Sequence, residues 1–139
     1  MLNPTPRKFR KPNKKTIRTT YENKTNKVVF GTFGIQAIEK GFLTVQQIEA
    51  VRKVLVKKIK KTGKVWLRAF PDYARTAKPK EVRMGKGKGA VDRWLCIIKP
   101  GRIIYEITSK DPLALVQTLN LAVQKLPFFV RIIKKEPIL

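Results

Sequence analysis

The apolar residues of this chain fall into a few short β-branched and aromatic runs and two stripes of helical period, a mixture that few folds accommodate. Val28-Val29-Phe30-Gly31-Thr32-Phe33-Gly34-Ile35 is rich in strand-forming residues, with glycines that permit irregularity. Thr44 and Gln47 then make a capping box, and Ile48, Val51, Leu55 and Ile59 follow at spacings of three and four. That predicts a helix, with Gly63 as its stop. Lys64 to Phe70 alternates as a strand should and ends at Pro71, and residues 71–92 read as a long loop. Arg93–Ile98 and Ile103–Ile107 flank Pro100-Gly101, which suits the centre of a type II turn, so the two runs read as a hairpin. Asp111-Pro112 opens a second helix that turns Leu115, Leu119, Ala122, Val123 and Leu126 inward. Pro127 ends it, and Phe128 to Ile133 forms a last strand. Two helices among four or five strands define an α+β two-layer sandwich, with helices packed on a mostly antiparallel sheet.

Charge sets the second constraint. The chain carries 32 Lys plus Arg against 9 Asp plus Glu in 139 residues, a formal net charge of +23. An excess of that size works against a compact free protein by self-repulsion and calls for a polyanionic partner. The length suits one domain: a basic arm over residues 1–27, then a single α+β domain over 28–139 into which a loop, 71–93, is inserted.

The residues absent from the chain narrow the chemistry. There is no histidine, the commonest general base and metal ligand. No two acids stand at a helical spacing that would assemble a two-metal site, so neither a metal ion nor a cofactor is expected, nor an enzyme. Cys96, alone in an apolar run, reads as a small buried residue. No apolar run approaches the roughly 18 residues of a membrane span. Pro4, Pro6 and Pro12 oppose an amphipathic presequence helix, so the basic start reads as part of the mature protein.

Three groups of cations are candidates for phosphate contact. The arm holds Arg7, Lys8, Arg10, Lys11, Lys14, Lys15 and Arg18 with no acid before Glu22, a density that suits ordering on RNA. Arg52, Lys53, Lys57, Lys60 and Lys61 occupy the polar faces of the first helix, and Arg68 joins them on the following strand. The long loop adds Arg75 and Lys78, then Arg83-Met84-Gly85-Lys86-Gly87-Lys88-Gly89. Alternating glycine and lysine lets backbone approach a phosphodiester chain while each lysine reaches a phosphate. A nucleotide-binding P-loop would need Ser or Thr after the lysine, and none follows Lys86 or Lys88. A dinucleotide fingerprint would open a helix, whereas Ala90-Val91-Asp92-Arg93 leads into a strand.

Several blocks in order carry a resemblance: Lys8-Phe9-Arg10-Lys11, Phe30-Gly31-Thr32-Phe33-Gly34, Leu43 to Ala50, Gly63 to Asp72, and Lys78 to Gly89. Together they resemble ribosomal protein sixteen of the large subunit, of bacterial and organellar type, from about Met1 to Pro127. The resemblance implies an α+β sandwich on large-subunit ribosomal RNA near the central protuberance, beside neighbouring ribosomal proteins, with a part in late subunit assembly. It implies that Arg83, Lys86 and Lys88 approach the A-site and P-site tRNA path and the peptidyl-transferase region. It also implies that Arg7, Lys8, Arg10 and Lys11 enter ribosomal RNA, and that Arg83 is a position hydroxylated in some members. Homo-oligomers are not expected.

The sequence departs from the family at Glu106 to Asp111 and at the apolar Phe128-Phe129-Val130-Arg131, although Lys125-Leu126-Pro127 is kept. Enrichment in Lys, Ile and Asn suggests an AT-rich genome and an organelle-encoded protein of the mitochondrial matrix, with plastid and bacterial cytoplasm as alternatives. The competing reading, a DNA-architectural nucleoid protein, needs groove-inserting wedges or a recognition helix. The helix after Thr44 instead offers lysines where base-reading side chains would stand.

Overall fold

A buried acid organises the chain before its first strand. In the computed structural model, which describes residues 2–6, 8–14, 16–17, 19–59 and 62–135, the Glu106 side chain is fully buried. Its Oε2 accepts the backbone N–H of Val29 (3.0 Å), Phe30 (2.6 Å) and Gly31 (3.0 Å). Its Oε1 accepts Nη1 of Arg68, which also donates to the Lys27 carbonyl at 3.0 Å. Backbone amides pointed at a carboxylate cannot also join a ladder. The expected strand over Val28–Ile35 therefore begins late, as β1 at Phe33–Ala37. Gly31 is needed where the chain crosses, since a Cβ there would lie 2.6 Å from the Ile107 nitrogen.

After β1 come β2 (Gly41–Thr44) and α1 (Val45–Ile59). The capping box forms as read: Gln47 N–H donates to Thr44 Oγ1 (3.2 Å), and Thr44 N–H donates to Gln47 Oε1 (2.9 Å). Ile48, Val51, Leu55 and Ile59 are all buried. The helix stops before Gly63, which opens β3 (Gly63–Leu67). Close approach is what requires this glycine, because a Cβ would stand 1.9 Å from the Thr108 carbonyl oxygen. Next come β4 (Tyr73–Ala77), β5 (Ala90–Ile98), β6 (Ile103–Ser109), α2 (Pro112–Val123) and β7 (Val130–Lys134). Pro112 starts α2 as expected, although the Asp111 side chain makes no capping hydrogen bond.

The strands form two antiparallel sheets, ordered β3-β6-β1-β7 and β2-β5-β4. The α+β sandwich stands, while the expected hairpin does not form: β5 and β6 belong to different sheets. The turn between them is as read, with Gly101 at φ 84° and Arg102 N–H donating to the Lys99 carbonyl at 3.2 Å. It hands the chain from one sheet to the other. β5 is the middle strand of its sheet and β6 an inner strand of the other, and the unbroken burial of Ile103–Ile107 reflects a strand covered on both faces. Both sheets and both helices share one core, in which Ile35, Leu43, Ile98 and Ile104 meet Leu55 and Leu119. Buried Tyr105 ties β6 to α1 through its hydroxyl, which donates to the Ile48 carbonyl at 2.6 Å.

Burial alone would raise the Glu106 pKa, but the N–H of Gly31, Arg68 and the N–H groups of Phe30 and Val29 together hold it below the ordinary carboxylate range. A carboxyl depressed on folding stabilises the protein fully above its unfolded pKa, and that contribution is lost as pH falls through the lower, folded value. Glu106→Ala leaves Arg68 and three amides without their acceptor and is expected to cost roughly 3–5 kcal/mol in urea unfolding. Glu106→Gln should make stability less steep in acid than in the parent protein.

Candidate nucleic-acid interface

The expected loop over residues 71–93 proves shorter, because β4 and the start of β5 lie within it. What remains is 78–89, the tip of the β4–β5 hairpin, exposed at every residue but Gly89. Gly85, Lys86 and Gly87 stand at φ 100°, 53° and 87°, a left-handed conformation that glycine accepts and lysine rarely adopts. A Cβ on Gly85 or Gly87 would meet nothing within 4 Å. Those glycines serve the backbone path and leave space beside it open to an outside group. Gly89 differs: its missing Cβ would lie 2.3 Å from the Ala77 carbonyl, so it closes the neck of the hairpin. Inside the loop, Lys78 Nζ donates to the Gly85 carbonyl.

The arm reaches this loop. Lys11 Nζ donates to the Lys88 carbonyl at 3.3 Å, and Lys88 Nζ donates to the Pro12 carbonyl. Farther along, Glu22 N–H donates to the Pro100 carbonyl (2.8 Å), and the Thr25 carbonyl accepts Ile103 N–H (2.9 Å). The arm has neither helix nor strand among its described residues, yet it is fastened at both points. Between arm and sheet runs a groove lined by Lys14, Lys40, Arg75 and Lys88, with Phe42 and Tyr73 stacked in it at 6.1 Å between centroids. No acid lines that groove among the described residues.

The structure therefore brings Lys11, Lys14, Arg75, Lys78 and Lys88 together around loop and arm. Lys8, Arg10, Arg83, Met84 and Lys86 are exposed nearby in sequence, and Met84 is 100% exposed. Lys53 and Lys57 lie exposed on α1. Arg52 is engaged: it forms a two-pronged ion pair with Glu49 at 2.9 and 2.6 Å. The hydrogen bond from Arg52 lowers the Glu49 pKa, and the same contact raises that of Arg52. Arg68 faces inward, held by Glu106. Arg7, Lys15, Arg18, Lys60 and Lys61 lie outside the described residues. Lys40 and Lys58, exposed but marked by no motif, add to the charge; only the fold reveals that Lys40 joins the groove.

Cys96 is buried, and burial pushes its thiol pKa up, as an inert core residue requires. Among the described residues no group of His, Cys, Asp and Glu could hold a metal ion, and no helix is long and apolar enough to cross a membrane.

A small sandwich that exposes cations on loop, arm and helix, and whose most buried acid holds its own backbone, has the build of a structural protein. The chain belongs to the ribosomal protein L16p/L10e family, whose sequence pattern matches residues 4–133. It is 45% identical over 135 residues to large ribosomal subunit protein uL16 of Psychrobacter arcticus, covering 97% of this chain and 98% of that one. It is 48% identical over 133 residues to uL16 of Sulfurovum sp. (96% and 94% covered), and 44% identical over 136 residues to uL16c of Rhodomonas salina (98% of each). Membership makes it a structural, non-enzymatic constituent of the large ribosomal subunit.

One pairing in the site conflicts with stability of the free protein. Arg75 stands directly across from Arg93 in the β4–β5 ladder, and only Arg93 has a carboxylate, Asp92 at 2.6 Å. Like charges facing across strands repel. Arg75→Gln is expected to stabilise the free chain by about 0.5 kcal/mol at low salt, a gain that added salt should shrink. Urea unfolding at low and high ionic strength reads the difference.

Proposed function

We propose that this chain binds large-subunit ribosomal RNA through its basic arm and its 78–89 loop, near the central protuberance. The loop approaches the A-site and P-site tRNA path and the peptidyl-transferase region, and the protein supports translation and late subunit assembly. The observation that carries this reading is the left-handed run Gly85-Lys86-Gly87, exposed and without side-chain packing around its glycines. A backbone set that way without internal support suits close approach of a phosphodiester chain. Among the described residues Arg83 and Lys86 have neither a hydrogen bond nor an ion pair, so their charges are available to phosphate or tRNA. Arg52 and Arg68, held by carboxylates, belong to the scaffold that presents the others. The Arg83 side chain is open to hydroxylation, which intact-mass measurement of the native protein would detect. The Lys, Ile and Asn enrichment favours the mitochondrial matrix, and the chain acts as a single copy among its ribosomal neighbours.

Affinity of the full chain for a large-subunit RNA fragment should fall on a log–log salt plot with a slope of about −0.9 per duplex phosphate contacted, or about −0.7 per single-strand phosphate. Lys86→Ala and Lys88→Ala should each flatten that slope by about 1. An affinity indifferent to salt would refute the reading. Arg83→Ala should leave folding intact but slow tRNA accommodation or the last steps of subunit maturation. Normal subunit profiles together with normal elongation would overturn the loop's role.

A further inference from the structure

A second surface, on β3 and the segment between the arm and β1, groups aromatic rings with cations. Lys64, Trp66 and Arg68 alternate along β3 and just beyond it, so they share one face. Phe30 lies across that face, its ring stacked on Trp66 with centroids 6.3 Å apart and planes 25° from parallel. Lys64 Nζ sits 5.5 Å from the Trp66 centroid, and the Arg68 guanidinium 5.6 Å from that of Phe30. Phe30 is nonetheless 58% exposed, and its neighbour Val29 53% exposed.

That exposure is built into the fold. The Phe30 backbone is fixed by its N–H on the buried Glu106 carboxylate, with Val29 and Gly31 held on the same oxygen. The carboxylate in turn fixes Arg68, which underlies the Phe30 ring. A buried ion pair and three backbone bonds hold this ring at the surface. Lysines flank it: Lys64 lies by the Trp66 ring, the Lys135 ammonium reaches the Val29 carbonyl at 3.0 Å, and exposed Lys27 lines the same cleft as Val29 and Lys135. An aromatic pair inside a ring of cations matches the chemistry of an unpaired nucleotide, whose base stacks on a ring while its phosphates meet ammonium groups. A protein partner would need acids or apolar groups to match, whereas duplex RNA keeps its bases stacked inside and could use only the lysines.

We propose that Phe30 and Trp66 form a stacking platform for an unpaired RNA base, with Lys64 and its neighbouring lysines on the flanking phosphates. The proposal rests on the RNA-binding reading above and adds to it a site on β3 and the segment after the arm, apart from the 78–89 loop.

Full-length protein carrying Trp94→Phe leaves Trp66 as its single indole, since the chain has two tryptophans. Titration with a short single-stranded RNA, and with the same backbone made abasic, separates base from phosphate. The base-bearing strand should quench Trp66 and bind tighter than the abasic one. Phe30→Leu should weaken that strand by roughly 5- to 100-fold, the range of base–aromatic stacking, with the salt slope and thermal melting unchanged. Phe30→Tyr, which keeps the ring, should restore it and covers the case in which leucine disturbs the fold. Equal, salt-dependent binding of both strands, unaffected by Phe30→Leu, would overturn the platform and leave the loop-and-arm reading standing. Salt-independent binding of both would remove that reading as well. In assembled large subunits, photo-crosslinks from Phe30 and Trp66 to peptides in place of nucleotides would also overturn the platform.

Discussion

The Glu106 carboxylate is the interaction on which the rest of the structure depends. It sits in an inner strand of the larger sheet, buried, and faces three consecutive amides and one guanidinium. A charge in such a place is tolerated only when its lone pairs are filled and a counter-charge stands beside it. Both conditions hold here, and each has a structural consequence. Filling the lone pairs bends Val29–Gly31 away from ladder geometry and delays β1 to Phe33. Supplying the counter-charge draws Arg68, a cation in a chain with a large excess of them, away from solvent. One acid thus fixes where the arm ends and where the first sheet begins.

Remaining cations are distributed by the opposite logic. Among the described residues most of the others face outward; Arg52 pairs locally with Glu49, Arg93 with Asp92, and Arg102 donates to the Ile97 carbonyl. Exposed ion pairs contribute little, so these two remove charge from the binding surface more than they steady the fold. Arg75 across from Arg93 shows the cost of that surface plainly. Such an arrangement is favourable only when a polyanion lies over it, which is the setting that membership in a large-subunit ribosomal family provides.

Legibility in the sequence followed how local the deciding interactions were. The α1 cap and stripe lie within a few residues of one another, and Thr44, Gln47 and Ile48 through Ile59 were readable in full. The Pro100-Gly101 turn was readable for the same reason, yet its role was not. Whether two strands flanking a turn pair with each other depends on which other strands compete, and here β2, β4, β1 and β3 all do. The strand β4 was missed because Tyr73–Ala77 is short, carries an arginine and lies beside a strongly loop-like stretch. At the site, the glycine–lysine stretch was legible as an exposed loop because its alternating glycines suit neither a helix nor a strand. Glu106 was not, since a single acid among isoleucines gives no sign of whether its partners lie 38 or 75 residues away. Assigning Arg68 to RNA from its charge alone left out that hidden partner.

These two kinds of interaction divide the molecule into a part held firmly from within and a part with few internal anchors. The hairpin neck is set from within, by Gly89 against Ala77 and by the irregular step of the ladder between Arg75 and Thr76. Beyond the neck, residues 78–88 have few anchors of their own, chiefly the Lys78–Gly85 contact and the exchange of lysine bonds between Lys11, Lys88 and Pro12. Single lysine-to-carbonyl bonds at an exposed surface compete with water and are worth little net, and of the three left-handed residues only Lys86 strains its backbone, since glycine accepts that conformation. The tip is therefore held far less firmly from within than the neck. A fixed base with a loosely held tip gives the loop a set position and a backbone path that can still adjust.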